Sequence, residues 1–412
     1  MQTIPRNGRR QILFLTPQFP YPPEQGTSIR NYNLLVEVAR RHDVSVLSFV
    51  EEGQDDPGPL ADLCRVLRTV HVPVRTPRDR LETLLTTPLP DMARRLFSPE
   101  FAAALRTLLD EYRFDVVQIE GIELAPYAFV VSEWLGDNAP TLIFDDHNAE
   151  YVLQRRAYQT DARNPRRWAQ ACYSLTQWQR LERFERRVCE LADAVVCVSE
   201  ADAEALRQLV PGLQPVVVPN GVDVERYRPD LPDSIPLQHP ALVFTGKMDF
   251  RPNVDAMLWF CRQVWPKITA RMPEAHLYIV GKNPHPRLAS LARDERVTIT
   301  GYVQDNLPYF GGADVYIVPL RIGGGTRLKV LEAMATGRAL VSTTLGIEGI
   351  ALTPGQHVLV GDSADAFADA VLELLHDPAR RQIMGQAARE FVVEHYDWGR
   401  IVPRLDSLYM AL

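Results

Sequence analysis

The 412-residue chain is short of several things that would have placed it at once. Lysine is nearly missing: of 45 basic residues only Lys247, Lys267, Lys282 and Lys329 are lysines, so the place of each carries information. Cysteine is sparse, and Cys64, Cys172, Cys189, Cys197 and Cys261 include no CxxC pair, which speaks against a disulfide scaffold and a cysteine-based zinc site. No run approaches the roughly 18 apolar residues of a membrane span. The opening MQTIPRNGRRQILFLTP meets Pro17 too early for a signal peptide, so a cytoplasmic location is expected. Excess positive charge is also lacking; a net charge of -7 withdraws support from a broad nucleic-acid surface.

What is present is material for two cores, with 46% hydrophobic and 24% charged residues. Mostly apolar runs at 11–16, 44–50, 69–74, 115–120, 141–144, 194–199 and 215–218 read as strands, with helices expected at 28–41, 101–111, 166–191 and 200–209. Continuous apolar runs alternating with amphipathic segments predict a parallel sheet covered on both faces. A proline-rich stretch at 219–240 reads as a linker. Strands recur at 241–245, 276–280, 297–300, 315–319, 339–342 and 357–360, and the 3/4 spacing of Val254, Met257, Leu258, Cys261, Val264, Trp265 and Ile268 predicts one continuous helix over 253–269. The expected organisation is α/β: two Rossmann-like, doubly wound domains at 10–218 and 241–390 facing across a cleft. A C-terminal helix in 391–412 would pack back toward the first domain.

In such sheets ligands sit beyond the carboxyl ends of the strands. The sharpest signal there is PLRIGGGTRLKVLEAMATG at 319–337. Gly323, Gly324 and Gly325 let backbone approach a ligand, and Thr326 reads as the cap of the helix that follows. Arg327 and Lys329 are then expected in the first turn, where the helix field disfavours cations and a bound phosphate would reverse that cost. Glu332 lies on the same face as Lys329. After the first strand of the second half, TGKMDFRPNVDA supplies Gly246 for a turn and Lys247 and Arg251 as cations for a diphosphate.

The first half offers less. Gly26, in the proline-rich loop after the first strand, is expected to let that loop approach a donor phosphate or a sugar, and neither GxGxxG nor GxxxxGK[ST] occurs there. FDDHNAEYV at 144–152 places Asp145, Asp146, His147 and Glu150 at a strand end, with His147 the candidate to orient a polar substrate. No second histidine stands at ligand spacing, so no metal site is expected. Glu120 and Glu123 could contact an acceptor or simply stand in solvent. Residues 151–187 carry nine arginines against three acids, among them Arg155, Arg156, Arg163, Arg166 and Arg167, interleaved with Trp168, Tyr173 and Trp178. That pattern suits an anionic membrane surface or an ordinary amphipathic helix.

The segments VVCVSEADAEAL, VVPNGVDVERYRP, TGKMDFRPNVDA, VTITGYVQD, ADVYIVPLRIGGGTRLKVLEAMATGRALVSTTLGIEGI and HYDW together resemble the retaining glycosyltransferases of family 4, which have the two-Rossmann GT-B fold. The likeness spans nearly the whole chain and is nearest to sugar transferases of bacterial exopolysaccharide gene clusters. It implies transfer of a hexose from a nucleotide diphosphate sugar to a hydroxyl of a saccharide or lipid-linked saccharide, with no permanent cofactor, no required metal and no protein nucleophile. It implies a ribose-binding role for Glu332 and a place near sugar and acceptor for His147. Two departures stand out: the family's first acid falls on Gly324, and its glycine-arginine pair and later lysine fall on Gly246–Lys247 and Pro252. Lys329 or Arg251 would supply the missing charge. A nucleotide-sugar epimerase or hydrolase, and a noncatalytic nucleotide-sugar-binding assembly protein, are the competing readings.

Overall fold

The computed structural model describes residues 8–24, 26–54, 56–163, 165–231, 235–323 and 327–412. Two compact units emerge: one runs to Pro219 and takes in Ile401–Leu412, and the other is Asn220–Arg400.

The first unit is built on seven parallel strands, β1 (Gln11–Thr16), β2 (Asp43–Val50), β3 (Val66–His71), β4 (Val116–Glu120), β5 (Thr141–Asp146), β6 (Ala194–Cys197) and β7 (Val216–Val217), in the order 3-2-1-4-5-6-7. Beyond its first residue β1 is buried throughout, which is why QILFLT shows no polar alternation. Helices start where the sequence offers side-chain acceptors: Ser98 takes the N–H of Phe101, and Ser199 that of Asp202. Leu13, Leu47, Phe49, Phe101, Tyr127 and Phe144 anchor the core, at about 1.5–3 kcal/mol for each such apolar side chain fully buried.

The second unit has six parallel strands, β8 (Ala241–Thr245), β9 (His276–Val280), β10 (Val297–Ile299), β11 (Val315–Val318), β12 (Ala339–Ser342) and β13 (Leu359–Val360), in the order 10-9-8-11-12-13. Chain direction across the sheet reverses between β1 and β4 in the first unit and between β8 and β11 in the second. Each reversal opens a crevice at the strands' carboxyl ends. Residues 220–231 and 235–240 pack with the second unit, where Val222, Val224 and Leu237 join its core.

Some expectations need correction. The continuous helix over 253–269 is a helix at Arg251–Trp259, a π-helical turn at Phe260–Val264 and a short helix at Trp265–Thr269. Pro266 has no N–H, and its ring crowds the carbonyl four residues back. Widening by one residue, with the Trp265 N–H on the Phe260 carbonyl, relieves both. The third strand lies at Val66–His71 rather than 69–74, because its partner β2 ends at Val50, opposite His71. The helix Pro126–Leu135 (PYAFVVSEWL) was invisible to periodicity, being apolar on several faces. No helix among the described residues is long and apolar enough to cross a membrane.

Candidate functional site

Two groups of side chains gather at strand ends, one in each unit. In the first, β4 delivers Glu120 and β5 delivers Asp145, Asp146 and His147. Glu120 and Asp145 are fully buried. Burial is tolerated because each carboxylate has donors. Arg30, on the buried face of the helix Gly26–Ala39, gives two hydrogen bonds to Asp145, at 2.7 Å and 3.1 Å. Its other terminal nitrogen donates to the carbonyls of Val218 at 2.9 Å and Pro219 at 3.3 Å. Glu120 lies 2.8 Å from His147 Nε2 and accepts from Gln118 Nε2 at 2.6 Å.

Close approach at this point depends on Gly121. At φ +81° it turns the chain where a Cβ would stand 3.6 Å from His147 Nδ1 and 3.2 Å from a Glu123 oxygen. Burial alone would lower the affinity of His147 for a proton, but Glu120 and Asp145 outweigh it and the imidazole is held above its usual range. Burial and the charge of Asp145 push Glu120 upward, opposed by His147 and Arg30.

Beside this group lies an acid cluster. Glu185 accepts from the N–H groups of Glu150 at 3.0 Å and Tyr151 at 2.9 Å, at the start of the helix Glu150–Ala162. Burial raises Glu185 to about 7 and Glu150 to about 8. Asp146 is pushed well above the usual carboxyl range by burial and by Glu185 next to it. Glu120, Asp145 and His147 could bring ligand atoms within 4.8 Å of one another, but Arg30 and Gln118 already hold those oxygens, and a divalent ion would have to displace them. Glu123 is paired with Arg95. Gly26 opens its helix in an exposed position, and a Cβ there would meet nothing within 4 Å, so the fold itself does not demand glycine.

In the second unit the strand ends of β8 and β11 lead into the segments 246–250 and 319–323. Lys329, on the helix Leu328–Ala335, reaches to the end of β8. Its Nζ donates to the Thr245 carbonyl at 2.6 Å and to Asn253 Oδ1 at 3.0 Å, and sits 4.1 Å from the centre of the Phe244 ring. Gly246 has φ +152°, and a Cβ there would stand 2.7 Å from Lys329 Nζ and from Asn253 Nδ2, so the bare backbone leaves the ammonium and its amide partner where they are. Burial, with Arg327 adding to it against the pull of Glu332, brings the lysine down to about 7. Glu332, one turn on, accepts from the Tyr227 hydroxyl at 3.2 Å, and burial raises it.

Arg327 immediately precedes this helix rather than lying in its first turn, because its backbone is extended. Its guanidinium packs beside Gly323, where a Cβ would lie 3.1 Å from it. Gly324, Gly325 and Thr326, the centre of the expected glycine loop and its cap, lie outside the described residues. Lys247 is exposed, 3.7 Å from Asp249, and Arg251 is exposed at the first position of its helix.

Sequence reading missed Arg30, Gln118, Tyr227, Asn253 and Tyr409. Arg30 had a signal, an arginine on the same helical stripe as Ser28, Asn31, Leu34, Leu35 and Val38. The others are ordinary polar residues, each with at least one partner distant in sequence.

In the second unit the polar groups gather where the strand order reverses, and in the first at the carboxyl ends of β4 and β5 next to the reversal, the edge at which doubly wound sheets of a two-domain Rossmann-like plan bind ligands. Family models agree with that plan: one described as Glycosyltransferase Family 4 matches residues 25–226, and one described as Glycosyl transferases group 1 matches 239–377. The chain belongs to the family-4 glycosyltransferases.

A GDP-mannose-dependent alpha-(1-6)-phosphatidylinositol monomannoside mannosyltransferase of Mycobacterium tuberculosis is 32% identical over 53% of this chain and 62% of its own length. The chain spans little more than half the length of the curated relatives it matches. Among solved structures, a sucrose-phosphate synthase from Thermosynechococcus elongatus superposes with a TM-score of 0.73 at 19% identity, over 98% of this chain and 99% of its own. HepE of Anabaena, solved with UDP and glucose, gives a TM-score of 0.66 at 13% identity, over 98% and 100%. These two likenesses concern the fold, the GT-B pair of Rossmann-like sheets.

Proposed function

We propose that this chain moves a hexose from a nucleoside-diphosphate sugar to a hydroxyl of a saccharide or lipid-linked saccharide, with the anomeric configuration kept. The observation that carries the reading is the arrival of Lys329 Nζ at the Thr245–Gly246 turn, held by a carbonyl and an amide oxygen rather than a carboxylate. An ammonium so placed, with Arg327 near it, is short of negative charge, and a diphosphate supplies it. Lys329 thereby takes over the charge that the family pattern puts at position 252, which is proline here.

In the proposed reaction the bond from the anomeric carbon to the diphosphate oxygen breaks and the acceptor oxygen bonds on the same face. The acceptor proton passes to the departing diphosphate. Lys329 and Arg327 stabilise the charge that grows on the leaving group, with Lys247 and Arg251 as further cations within reach of a solvent-borne phosphate. Glu332 accepts from a ribose hydroxyl, sharing its carboxylate with Tyr227. His147 hydrogen-bonds the sugar or the acceptor.

Cell-surface glycan synthesis, including exopolysaccharide, is the proposed setting, and the lipid-borne substrate in the mycobacterial relative's name supports a lipid-linked acceptor. Surface docking fits the hairpin of Glu150–Ala162 and Trp168–Leu191: Trp168 is 63% exposed near its turn, with Arg163 also exposed, whereas Trp178 stacks on Tyr158. Changing Arg155, Arg156 and Arg163 to glutamine should weaken sedimentation with anionic vesicles; unchanged sedimentation removes the docking proposal.

The reaction itself is tested by mass spectrometry of products from a panel of nucleotide sugars with lipid-linked and free saccharides. A hexose-extended acceptor is expected. Donor consumed equally without acceptor would favour the epimerase or hydrolase reading, and tight donor binding with no product would favour a binding protein.

A further inference from the structure

The terminal helix Trp398–Ala411 contributes to the first unit a buried tyrosine that lies at the end of a hydrogen-bonded line leading to His147. Tyr409 donates its hydroxyl to Gln118 Oε1, Gln118 Nε2 donates to Glu120 Oε1 at 2.6 Å, and Glu120 Oε2 meets His147 Nε2 at 2.8 Å. Tyr409, Gln118 and Glu120 are fully buried, so water does not stand in for any of these partners. His147 Nδ1 has no hydrogen-bond partner among the described residues, and the ring is partly exposed.

We infer that Tyr409 and Gln118 are positioning residues for His147: they keep Glu120 a hydrogen-bond acceptor, and so keep the imidazole proton on Nε2 and the Nδ1 lone pair free for substrate. An amide has one accepting and one donating end, and a half-turn about its last bond exchanges them. While Tyr409 donates to the oxygen, the nitrogen end faces Glu120 and both oxygens of that carboxylate are occupied by donors. Removing the tyrosine hydroxyl frees the amide to turn, which would present an oxygen to an oxygen. Glu120, already pushed toward its protonated form by burial and Asp145, would then take a proton. A carboxylic acid donating to Nε2 forces the ring proton to Nδ1, the wrong end for accepting from a substrate hydroxyl.

The charged and titratable groups facing the ring come from each element around it: Glu120 on β4, Asp145 on β5 and Arg30 on the helix Gly26–Ala39. Around Tyr409 they are Glu120, Asp145, Arg30 and, on its own helix, Asp406, itself bonded to His42 and Arg41.

Tyr409→Phe retains the ring that lies edge-on to His42, and Gln118→Leu interrupts the same line without touching the terminal helix. The test is 15N NMR of labelled histidine in the full chain. In the wild type the neutral His147 signals should be those of the Nε2-protonated tautomer, and in both variants they should move toward the Nδ1-protonated one, with the ring titrating at lower pH. That readout stands apart from the transferase reading. The catalytic part rests on it: kcat should fall roughly tenfold or more, with donor KM kept and the pH profile of kcat shifted. Wild-type tautomer and titration in either folded variant would overturn the inference, as would a drop in kcat with an unmoved pH profile, which is what mere loosening of the helix would give.

Discussion

The two units solve the burial of charge in opposite ways. At the end of β5 two buried pairs of opposite sign meet, Arg30 with Asp145 and His147 with Glu120, while Asp146, next to Glu185, is driven toward its protonated form by burial. At the end of β8 the ammonium of Lys329 rests on a carbonyl, an amide oxygen and an aromatic face, and the carboxylate one turn away is bonded to Tyr227. In the first site the Arg30–Asp145 and His147–Glu120 pairs hold one another in position. In the second no carboxylate among the described residues lies against the ammonium itself, which is the ground for proposing that it receives an anion.

Breaking the paired site should have the largest effect. Arg30→Met leaves Asp145 buried without a counter-ion and should cost about 3–5 kcal/mol, read from urea unfolding. The double change Arg30→Met with Asp145→Asn should recover much of it, since no lone charge is left. Lys329→Met should leave the unfolding midpoint nearly unchanged, because an ammonium that is costly to bury is replaced by an apolar chain of similar length. Affinity for nucleoside diphosphate should nevertheless fall at least about tenfold, close to 1.4 kcal/mol. If Lys329→Met unfolds the protein as Arg30→Met does, the contrast between the sites is wrong.

Replacing Glu332 sharpens the nucleotide side. Glu332→Gln keeps an acceptor for Tyr227 but weakens bonds to ribose hydroxyls, so a nucleoside diphosphate should lose more affinity than inorganic diphosphate; equal losses would remove the ribose role.

The smallest expected effect is on pH. Glu185 binds its proton more tightly in the folded chain than the usual carboxyl value of 4.5, at about 7. The folded state therefore holds more protons between those values, and this group's contribution to stability declines as pH rises across that window and is level below it. Glu185→Gln should flatten that decline in unfolding measured from pH 4 to 8.

Much of the fold was legible in the sequence because its strands are buried on both faces, and QILFLT and ALVFT say so without help. Pro266 marked the break in the helix before Thr269, yet seven apolar residues at helical spacing hid it. At the sites, glycines and lysines were readable because few residue types can serve there: Gly246 leaves room for an ammonium that a Cβ would crowd, and Lys329 is one of four lysines. Gln118 and Tyr409 could not be read, since their meaning depends on a contact across 291 positions of sequence. Arg30 lay between these cases, visible as an arginine on an apolar stripe but without any hint of Asp145 as its partner.

Calorimetric titration with nucleoside diphosphate at pH 8, in buffers of different ionisation enthalpy, tests the anion site most directly. Lys329, with its affinity for protons reduced to about 7, should be largely uncharged before binding and charged after it. The wild type should take up a proton on binding, and Lys329→Met should bind more weakly and take up none. Equal affinity and equal proton uptake in the two proteins would contradict the assignment.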